Sequence, residues 1–285
     1  MRLHVRYKIF RFLNRTLNPK KMLSPDGSNP IYLSGNRFRE TCHVEWSYGK
    51  INVNKRNDNS FIFLNLDRVH DFFTNHKPTA PYYLITNNSD LDVNESYEWI
   101  ANDPLLIKWY AQNLNFSHPK VLGCPLGIVN YKNGIDVSRC GNPFTFDRIR
   151  RAENEKQTLI YSNFSIRTNP VARAKCLEVS KSPPQEVVSY ETYLQDLSKS
   201  YFCLAPEGVG IDTHRLWESL YLKTIPIITK NQMVEGGMYQ GLPMVILDSW
   251  DDFDIGFFSE ARYLEIWDNF DITTLNINRF IPELS

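Results

Sequence analysis

Short apolar runs alternate with amphipathic stretches along most of the chain, and this alternation predicts an α/β protein. The first half has strand-length apolar runs at residues 60–65, 81–86 and 120–124, and helix-like stretches at 67–75 and 104–113. Strands that alternate with helices are typical of parallel sheets. We therefore expect a parallel sheet in this half, with polar turns after its strands.

The second half repeats the alternation with clearer boundaries. Its apolar runs lie at residues 158–161, 201–204 and 225–228, and its helices are predicted from residue 170, at 190–199 after the cap Ser189, and up to residue 222 after the cap Asp212 or Thr213. Each strand again precedes a helix. A second α/β unit is therefore expected here.

The composition changes over residues 132–156, where glycines and a proline are followed by a charged run. We place the connection between two domains there. The expected division is a first domain at 1–150, a second domain at 151–250 and a closing carboxyl-terminal segment at 251–285. The aromatic residues of that last segment predict a helix that packs across the domains.

The strand–turn–helix–strand unit at residues 201–228 concentrates polar side chains in its turn. In open α/β sheets this turn is where ligands bind, because free backbone N–H groups and the helix dipole face outward there. The pattern predicts an anion or nucleotide site. A purely structural turn is the alternative, with Arg215 and Glu218, three residues apart, forming a surface ion pair.

Composition narrows the classes of function. The chain has 285 residues, of which 42% are hydrophobic, and its 32 basic residues balance 32 acidic ones. This balance argues against a nucleic-acid partner. The sequence contains no run of eighteen apolar residues, so it predicts no membrane span. The first 21 residues are basic and amphipathic, which fits either contact with an anionic membrane surface or a strand and helix packed on the first domain.

Five widely spaced cysteines form no metal-binding pair: Cys42, Cys124, Cys140, Cys176 and Cys203. A reducing compartment fits this usage, so we expect a cytoplasmic protein, with peripheral membrane contact through the basic amino terminus as the open alternative. Cys203, in an apolar run, is expected in the core.

Residues 201–228 resemble the donor-binding motif of exostosin-like glycosyltransferases. The shared pattern is an apolar strand ending at Pro206, a glycine, then Asp-Thr-x-Arg-x-x-Glu at 212–218, and Ile-Pro-Ile-Ile at 225–228. Upstream, residues 85–90, 109–113 and 118–128 resemble short members from bacteria and large DNA viruses. The likeness extends over about residues 60–250.

The resemblance implies a GT-B-like fold, in which two Rossmann-like domains face each other across a cleft. It also implies an inverting transfer of a sugar from a nucleotide-sugar donor to a hydroxyl of an acceptor glycan, with no metal cofactor required. We expect a UDP-sugar as co-substrate and favour UDP-xylose. Two alternatives stay open: a metal-dependent GT-A-like glycosyltransferase, and a glycan-binding protein without turnover.

The donor would lie between two turns of the second domain. Its expected contacts are Asn163, Arg167 and Thr168 in one turn, and Glu207, Gly208, Gly210, Asp212, Thr213, His214, Arg215 and Glu218 in the other. Arginine suits diphosphate because its planar fork makes paired, charged hydrogen bonds, so Arg215 and Arg167 are assigned to it. Glu218 is assigned to the ribose, and Thr213 with the amides of 210–212 to phosphate.

For two further residues of this half, either two interpretations stay open or a structural role is expected. His214 fits either a phosphate contact or a helix surface, and Arg173 is expected to be a surface charge.

An inverting transfer needs a base for the acceptor hydroxyl, and a carboxylate after a strand of the acceptor domain is well placed for this. Asp90 is the first candidate, with Asp92 and His118 behind it. The tripeptide at 90–92 also fits a metal-binding Asp-x-Asp or a surface turn. Trp109 and Tyr110, on the helix predicted at 104–113, fit core positions or an acceptor platform.

Overall fold

A computed structural model describes residues 32–47, 50–53, 60–130, 141–182 and 187–284, without the side chains of 45–47 and 50–53. Two sheets of mainly parallel strands are connected through helices, so the α/β prediction is confirmed. The arrangement is compatible with two Rossmann-like domains. The basic amino-terminal segment and Cys140 lie outside the described residues.

The first sheet has six strands in the spatial order β2-β1-β3-β4-β5-β6. They are β1 Val44–Ser47, β2 Lys50–Val53, β3 Ser60–Leu64, β4 Tyr82–Thr86, β5 Leu106–Ala111 and β6 Val121–Gly123. Only the edge pair β1 and β2 is antiparallel; all other neighbours are parallel. The carboxyl ends of β3 to β6 therefore share one edge of this sheet.

The second sheet has four parallel strands in the order β10-β9-β8-β7. They are β7 Thr158–Tyr161, β8 Ser200–Leu204, β9 Ile225–Thr229 and β10 Val245–Leu247. Three of these strands were predicted from the apolar runs. Because all four run the same way, their carboxyl ends also share one edge.

Helices connect the strands of both sheets. They are α1 Gly35–Glu40, α2 Val69–His76, α3 Glu98–Ala101, α4 Pro143–Arg151, α5 Pro170–Ser180, α6 Tyr190–Ser198, α7 His214–Tyr221, α8 Gln232–Glu235, α9 Glu260–Trp267 and α10 Ile277–Phe280. The predicted helices after residue 170, after Ser189 and after Thr213 are confirmed. Ser189 accepts a hydrogen bond from the Thr192 amide, so it caps α6.

The helix predicted at residues 104–113 is wrong, because this segment forms β5. Trp109 and Tyr110, which are adjacent in sequence, are both fully buried, and β5 lies between β4 and β6. A central parallel strand is covered on both faces, so its apolar residues need not alternate with polar ones. That continuous apolar run caused the misreading. Of the two readings of these aromatic residues, the core positions are correct.

The segment chosen as the domain connection contains a helix as well as residues outside the described ranges. Helix α4 begins after Asn142, whose side chain accepts from the Phe144 amide. Asp147 on this helix is buried and accepts a hydrogen bond of 2.5 Å from the Tyr32 hydroxyl. Arg148 pairs with Glu191 of α6 at 2.9 Å. The connection is thus anchored to both halves.

One hydrophobic core runs through both halves of the molecule. It contains Trp109 of the first sheet together with Cys203 of β8 and Trp217 of α7. A second core fills the space between the second sheet and the aromatic tail, with Phe258 and Tyr263 among its members. The two halves of the molecule therefore share buried side chains. The core position expected for Cys203 is confirmed.

The carboxyl-terminal segment reaches both halves in two separate steps. Helix α9 packs on the second sheet, where the Tyr263 hydroxyl donates to the Lys223 carbonyl at 2.8 Å. Residues after α9 then reach the first sheet, where Glu283 pairs with Lys108 at 2.6 Å and accepts from the Tyr110 hydroxyl. No helix among the described residues is long and apolar enough to cross a membrane.

Candidate functional site

The polar residues that follow β7 and β8 meet at the carboxyl edge of the second sheet. The turn after β7 contains Phe164, and the loop after β8 contains Glu207 and Gly208. Arg173 on α5 and Arg215 on α7 reach the same place, because both guanidinium groups lie near the Phe164 ring. We call Phe164, Arg173 and Arg215 the arginine edge.

Arg173 is buried, so its prediction as a surface charge is wrong. Its side chain is 9% exposed. The Nε atom donates to the Glu207 carbonyl and Nη1 to the Ser165 carbonyl, each at 2.8 Å. Burial lowers the pKa of Arg173 to about 10, and the positive charge of Arg215 contributes to this shift. Two backbone carbonyls therefore fix a guanidinium that burial and a like charge both disfavour.

Arg215 lies between two aromatic rings. Its guanidinium carbon is 5.6 Å from the centre of the Phe164 ring and 5.0 Å from that of Tyr193. The Nη1 atom is buried and has no hydrogen-bond partner among the described residues. Buried donors normally find an acceptor, and each exception requires an explanation. The free donor suggests an acceptor that arrives with a ligand.

The arginine edge has a surplus of positive charge. Within the described ranges, neither Arg173 nor Arg215 forms an ion pair with a carboxylate. A buried charge without an ionic partner is unfavourable. An anion with several oxygens would offset this cost, because guanidinium groups bind such oxygens in pairs. The chemistry of this edge is that of a phosphate or diphosphate site.

The start of α7 supplies further donors to the same region. Thr213 is the N-cap residue, and its side chain makes no capping hydrogen bond. The amides of His214 and Arg215 have no acceptor in the part of the chain that the structure describes. Gly208 leaves room beside them, since a Cβ atom there would lie 2.9 Å from Nη2 of Arg173. Thr213 and Gly208 are thus brought to the arginine edge as predicted.

Two carboxylates approach this edge from opposite halves of the molecule. Glu207 follows β8 and accepts a hydrogen bond of 3.0 Å from Asn231, while Asp92 lies in the loop after β4. Burial raises the pKa of Glu207, and the negative charge of Asp92 raises it further. Burial also raises the pKa of Asp92, whose Oδ1 atom is buried without a hydrogen-bond partner among the described residues. Such a carboxylate is suited to accept a proton.

The carboxyl edge of the first sheet carries a network of amide side chains instead of cations. We call this network, made of Asn87, Asn88, Gln112, Asn113 and Asn130, the amide edge. Gln112 accepts from the Asn88 amide and donates to the Ser89 carbonyl, each at 2.8 Å. Asn130 donates to the Asn88 side chain at 2.6 Å. The amide edge is thus uncharged, and Asp92 lies in the loop that begins with its Asn87 and Asn88.

Asp212 joins the two edges from inside the protein. Its carboxylate accepts from the Leu126 amide at 2.8 Å, the Thr213 amide at 2.9 Å and the indole of Trp217 at 2.7 Å. The Tyr239 hydroxyl donates to it at 3.2 Å. Burial raises the pKa of Asp212 to about 6, and these hydrogen bonds limit the shift. Its predicted donor contact is not supported, since the side chain is 3% exposed and engaged on all sides.

Two more residues of the predicted donor set connect the halves. The Asp212 amide donates to the Asn113 side chain at 3.1 Å, so it is not free for phosphate. Gly210 makes this contact close, because a Cβ atom there would lie 2.3 Å from Asn113. His214 donates from Nδ1 to the Gly127 carbonyl at 2.7 Å, since a carbonyl can only accept. Neither interpretation of His214 accounts for this hydrogen bond, since one expected a phosphate contact and the other a position on the helix surface.

Glu218 lies beneath the arginine edge and does not form the surface ion pair with Arg215. It is 2% exposed, and its oxygens accept from the hydroxyls of Tyr190 at 2.6 Å and Tyr193 at 2.7 Å. Because Tyr193 contacts the Arg215 guanidinium, Glu218 positions Arg215 through this ring. A direct ribose contact finds no support in this burial.

The remaining predicted residues stay at the margin of the site or away from it. Asn163 is half-buried, whereas Arg167 and Thr168 are exposed. Asp90 is exposed in the loop that contains Asp92. His118 precedes β6, where its Nδ1 accepts from the Lys120 amide at 3.2 Å. It therefore lies at the amino edge of the first sheet, opposite the candidate site.

Phe164 and Arg173 are the site residues that the sequence reasoning missed. Phe164 is the one large apolar residue at the start of a polar turn, and Arg173 lies in the first turn of the helix that follows. An arginine at the start of a helix after a parallel strand is a usable signal, because that helix end faces the ligand edge. Among the described residues, no three His, Cys, Asp or Glu side chains cluster in a way that could hold a metal ion.

Comparison with protein-family models and with curated proteins finds no match to this chain. The site must therefore be interpreted from its own chemistry.

Proposed function

We propose that the protein is a glycosyltransferase of the GT-B type that uses a nucleotide-sugar donor. The observation that carries the proposal is the pair of buried guanidinium groups beside Phe164, one of which has a free donor. Two clustered cations without acidic partners suit a diphosphate. The resemblance of residues 201–228 to the exostosin-like donor motif agrees with this assignment.

The donor diphosphate would bind at the arginine edge. Nη1 of Arg215 and the amides of His214 and Arg215 would donate to its oxygens, and Arg173 would add its charge from its position beside Phe164. These groups also stabilise the charge that grows on the leaving diphosphate as the sugar bond breaks. Cations and a helix end would thus activate the leaving group.

Asp92 is the base in this proposal. The acceptor hydroxyl attacks the anomeric carbon, the bond to the diphosphate oxygen breaks, and the hydroxyl proton moves to Asp92. A single displacement of this kind inverts the anomeric carbon. The raised pKa of Asp92 and its free Oδ1 atom favour proton uptake, which is why we prefer it to the exposed Asp90.

The amide edge would receive the acceptor. Amide side chains donate and accept hydrogen bonds, so they match sugar hydroxyls, which do the same. The network itself is uncharged, which favours a neutral glycan over an anionic one. UDP-xylose remains our preferred donor on the strength of the resemblance alone.

The test is binding of nucleotide sugars followed by thermal unfolding, with and without EDTA. We expect UDP and one UDP-sugar to raise the Tm of the wild type, and Arg215→Met to abolish the shift. Arg167→Met is the matched control, because Arg167 is exposed in the turn after β7, and it should retain the shift. If no nucleotide or nucleotide sugar stabilises the wild type, the proposal is wrong.

A further inference from the structure

A cavity of about 510 Å³ opens at the amino edge of the second sheet, on the side away from the candidate donor site. Lys156, just before β7, lies in its wall. Arg150 and Arg151 of α4 and Lys223, after α7, also line it. A volume of this size is typical of small-molecule sites, which span about 300–1,000 Å³.

The amine of Lys156 is held by two acceptors. Its Nζ atom donates to the Leu222 carbonyl at 3.2 Å and to the Thr224 hydroxyl at 2.9 Å. The Thr224 hydroxyl can accept because it donates its own proton to the Leu197 or Ser200 carbonyl. A neutral amine has two N–H bonds and one lone pair, so both N–H bonds are used and the lone pair is left.

The surroundings favour this neutral form. Burial lowers the pKa of Lys156 to about 7, and the positive charge of Lys223 lowers it further. Lysines that are desolvated or placed next to another cation are the ones that serve as nucleophiles at neutral pH. Arg150 lines the same cavity and has a buried Nε atom without a hydrogen-bond partner among the described residues. The cavity thus combines a nucleophile with an unused donor for an anion.

We propose that this cavity is a second site, in which the amine of Lys156 forms an imine with a small aldehyde or ketone that carries an anionic group. The nitrogen lone pair attacks the carbonyl carbon, and the carbonyl oxygen takes up a proton to give a carbinolamine. Loss of water then leaves the C=N bond, without any oxidant or reductant. Arg150 would bind the anionic group, for example a phosphate or carboxylate.

The probe is pyridoxal 5′-phosphate added to the folded full-length chain, trapped with borohydride and mapped by peptide mass spectrometry. Exposed Lys181 of the same chain is the reference. At pH 7.5 we expect Lys156 to be labelled about tenfold faster or more, because most of its amine is neutral. Pyridoxal, which lacks the phosphate, should label Lys156 more slowly than pyridoxal 5′-phosphate does, and Arg150→Met should remove the difference between the two probes.

A pH profile distinguishes the nucleophilic role of Lys156 from a purely structural one, in which its amine only donates hydrogen bonds to residues that follow α7. The charged and titratable groups around the amine are Arg150, Arg151, Glu153, Glu155, Tyr221, Lys223, Tyr263 and the neighbouring Cys203. We expect half-maximal labelling near pH 7, and a higher midpoint in Lys223→Met, which removes a cation that lowers the pKa of Lys156. Lys156→Arg keeps donors for Leu222 and Thr224 but loses the adduct.

Two results would overturn the inference. If Lys156 in the folded protein is labelled no faster than Lys181, then Lys156 is not an activated nucleophile. If pyridoxal and pyridoxal 5′-phosphate label Lys156 at equal rates, then the cavity has no site for the anionic group. Neither result depends on the donor site or on glycosyltransferase activity.

Discussion

The carboxyl edges of the two sheets are built alike but carry opposite chemistry. The arginine edge buries two guanidinium groups around Phe164, and one of them keeps a free donor. The amide edge consists of uncharged side chains joined by hydrogen bonds, and the half-buried carboxylate of Asp92 lies in the loop after β4. The same topology thus carries cationic side chains at one edge and uncharged amides at the other, and the proposed function assigns an anion to the first and a neutral polyol to the second.

Among the substitutions that test this difference between the two edges, Asp92→Asn should have the largest effect. It removes the proposed base and keeps the shape of the side chain. We expect kcat to fall about 100- to 10,000-fold, the range that general-base catalysis supplies, while the affinity for the nucleotide sugar is retained. Steady-state kinetics together with donor titration measure the two quantities separately.

Asp90→Asn is the control for this change, because Asp90 is exposed in the same loop. Its activity should stay close to that of the wild type. An equal loss in both variants, together with a strict need for Mn²⁺, would instead support metal binding by the two aspartates.

Asp212→Asn tests the contribution of the Asp212 carboxylate, which joins the two edges, to stability. Burial raises the pKa of Asp212 from 3.8 to about 6, so the folded state binds a proton more tightly than the unfolded state. The contribution of this group to stability is therefore complete below pH 4 and is lost as the pH rises towards 6. The stability advantage of the wild type over Asp212→Asn should shrink by up to about 3 kcal/mol across this window. Urea unfolding at several pH values measures it, and a difference independent of pH would contradict the assignment.

Sequence pattern was sufficient for the second half and for β3, β4, β6 and α2 of the first, and it misled at β5. The strand, cap and helix of residues 200–221 follow from local signals, because Thr213 and the apolar spacing of α7 define them without tertiary help. Strand β5 was misread because burial on both faces removes the alternation on which pattern reading depends. Its side chains are fixed by neighbours in the sheet, which a single sequence does not specify.

The site residues divide in the same way. Glu207, Gly208, Thr213 and Arg215 could be predicted because they follow one strand and start one helix. Arg173 could not, since its burial results from the Ser165 and Glu207 carbonyls and the Phe164 ring. Asp212 and Glu218 were assigned to the ligand because a carboxylate that points inward and one that points outward look the same in sequence.

Arg173→Met should weaken donor binding at the arginine edge by about 10- to 100-fold, since a hydrogen bond to a charged group contributes about 1.5–3 kcal/mol. Methionine keeps much of the side-chain volume beside Phe164. The same change at exposed Arg167 should alter the affinity little. Calorimetry with UDP measures both variants, and equal affinities for the two would show that Arg173 is purely structural.

Gly208→Ala should have the smallest effect on the arginine edge. The added Cβ atom would lie 2.9 Å from Nη2 of Arg173, so the guanidinium must shift by a few tenths of an ångström to restore normal contact. Because backbone carbonyls hold its other nitrogens, this shift strains two hydrogen bonds instead of breaking them. We expect donor affinity to fall by about threefold to tenfold, consistent with the loss of part of one charged hydrogen bond, and kcat to change less. In the Arg173→Met background the alanine meets no guanidinium, so any loss that persists there would place the role of Gly208 in its backbone and not in the room it leaves for Arg173.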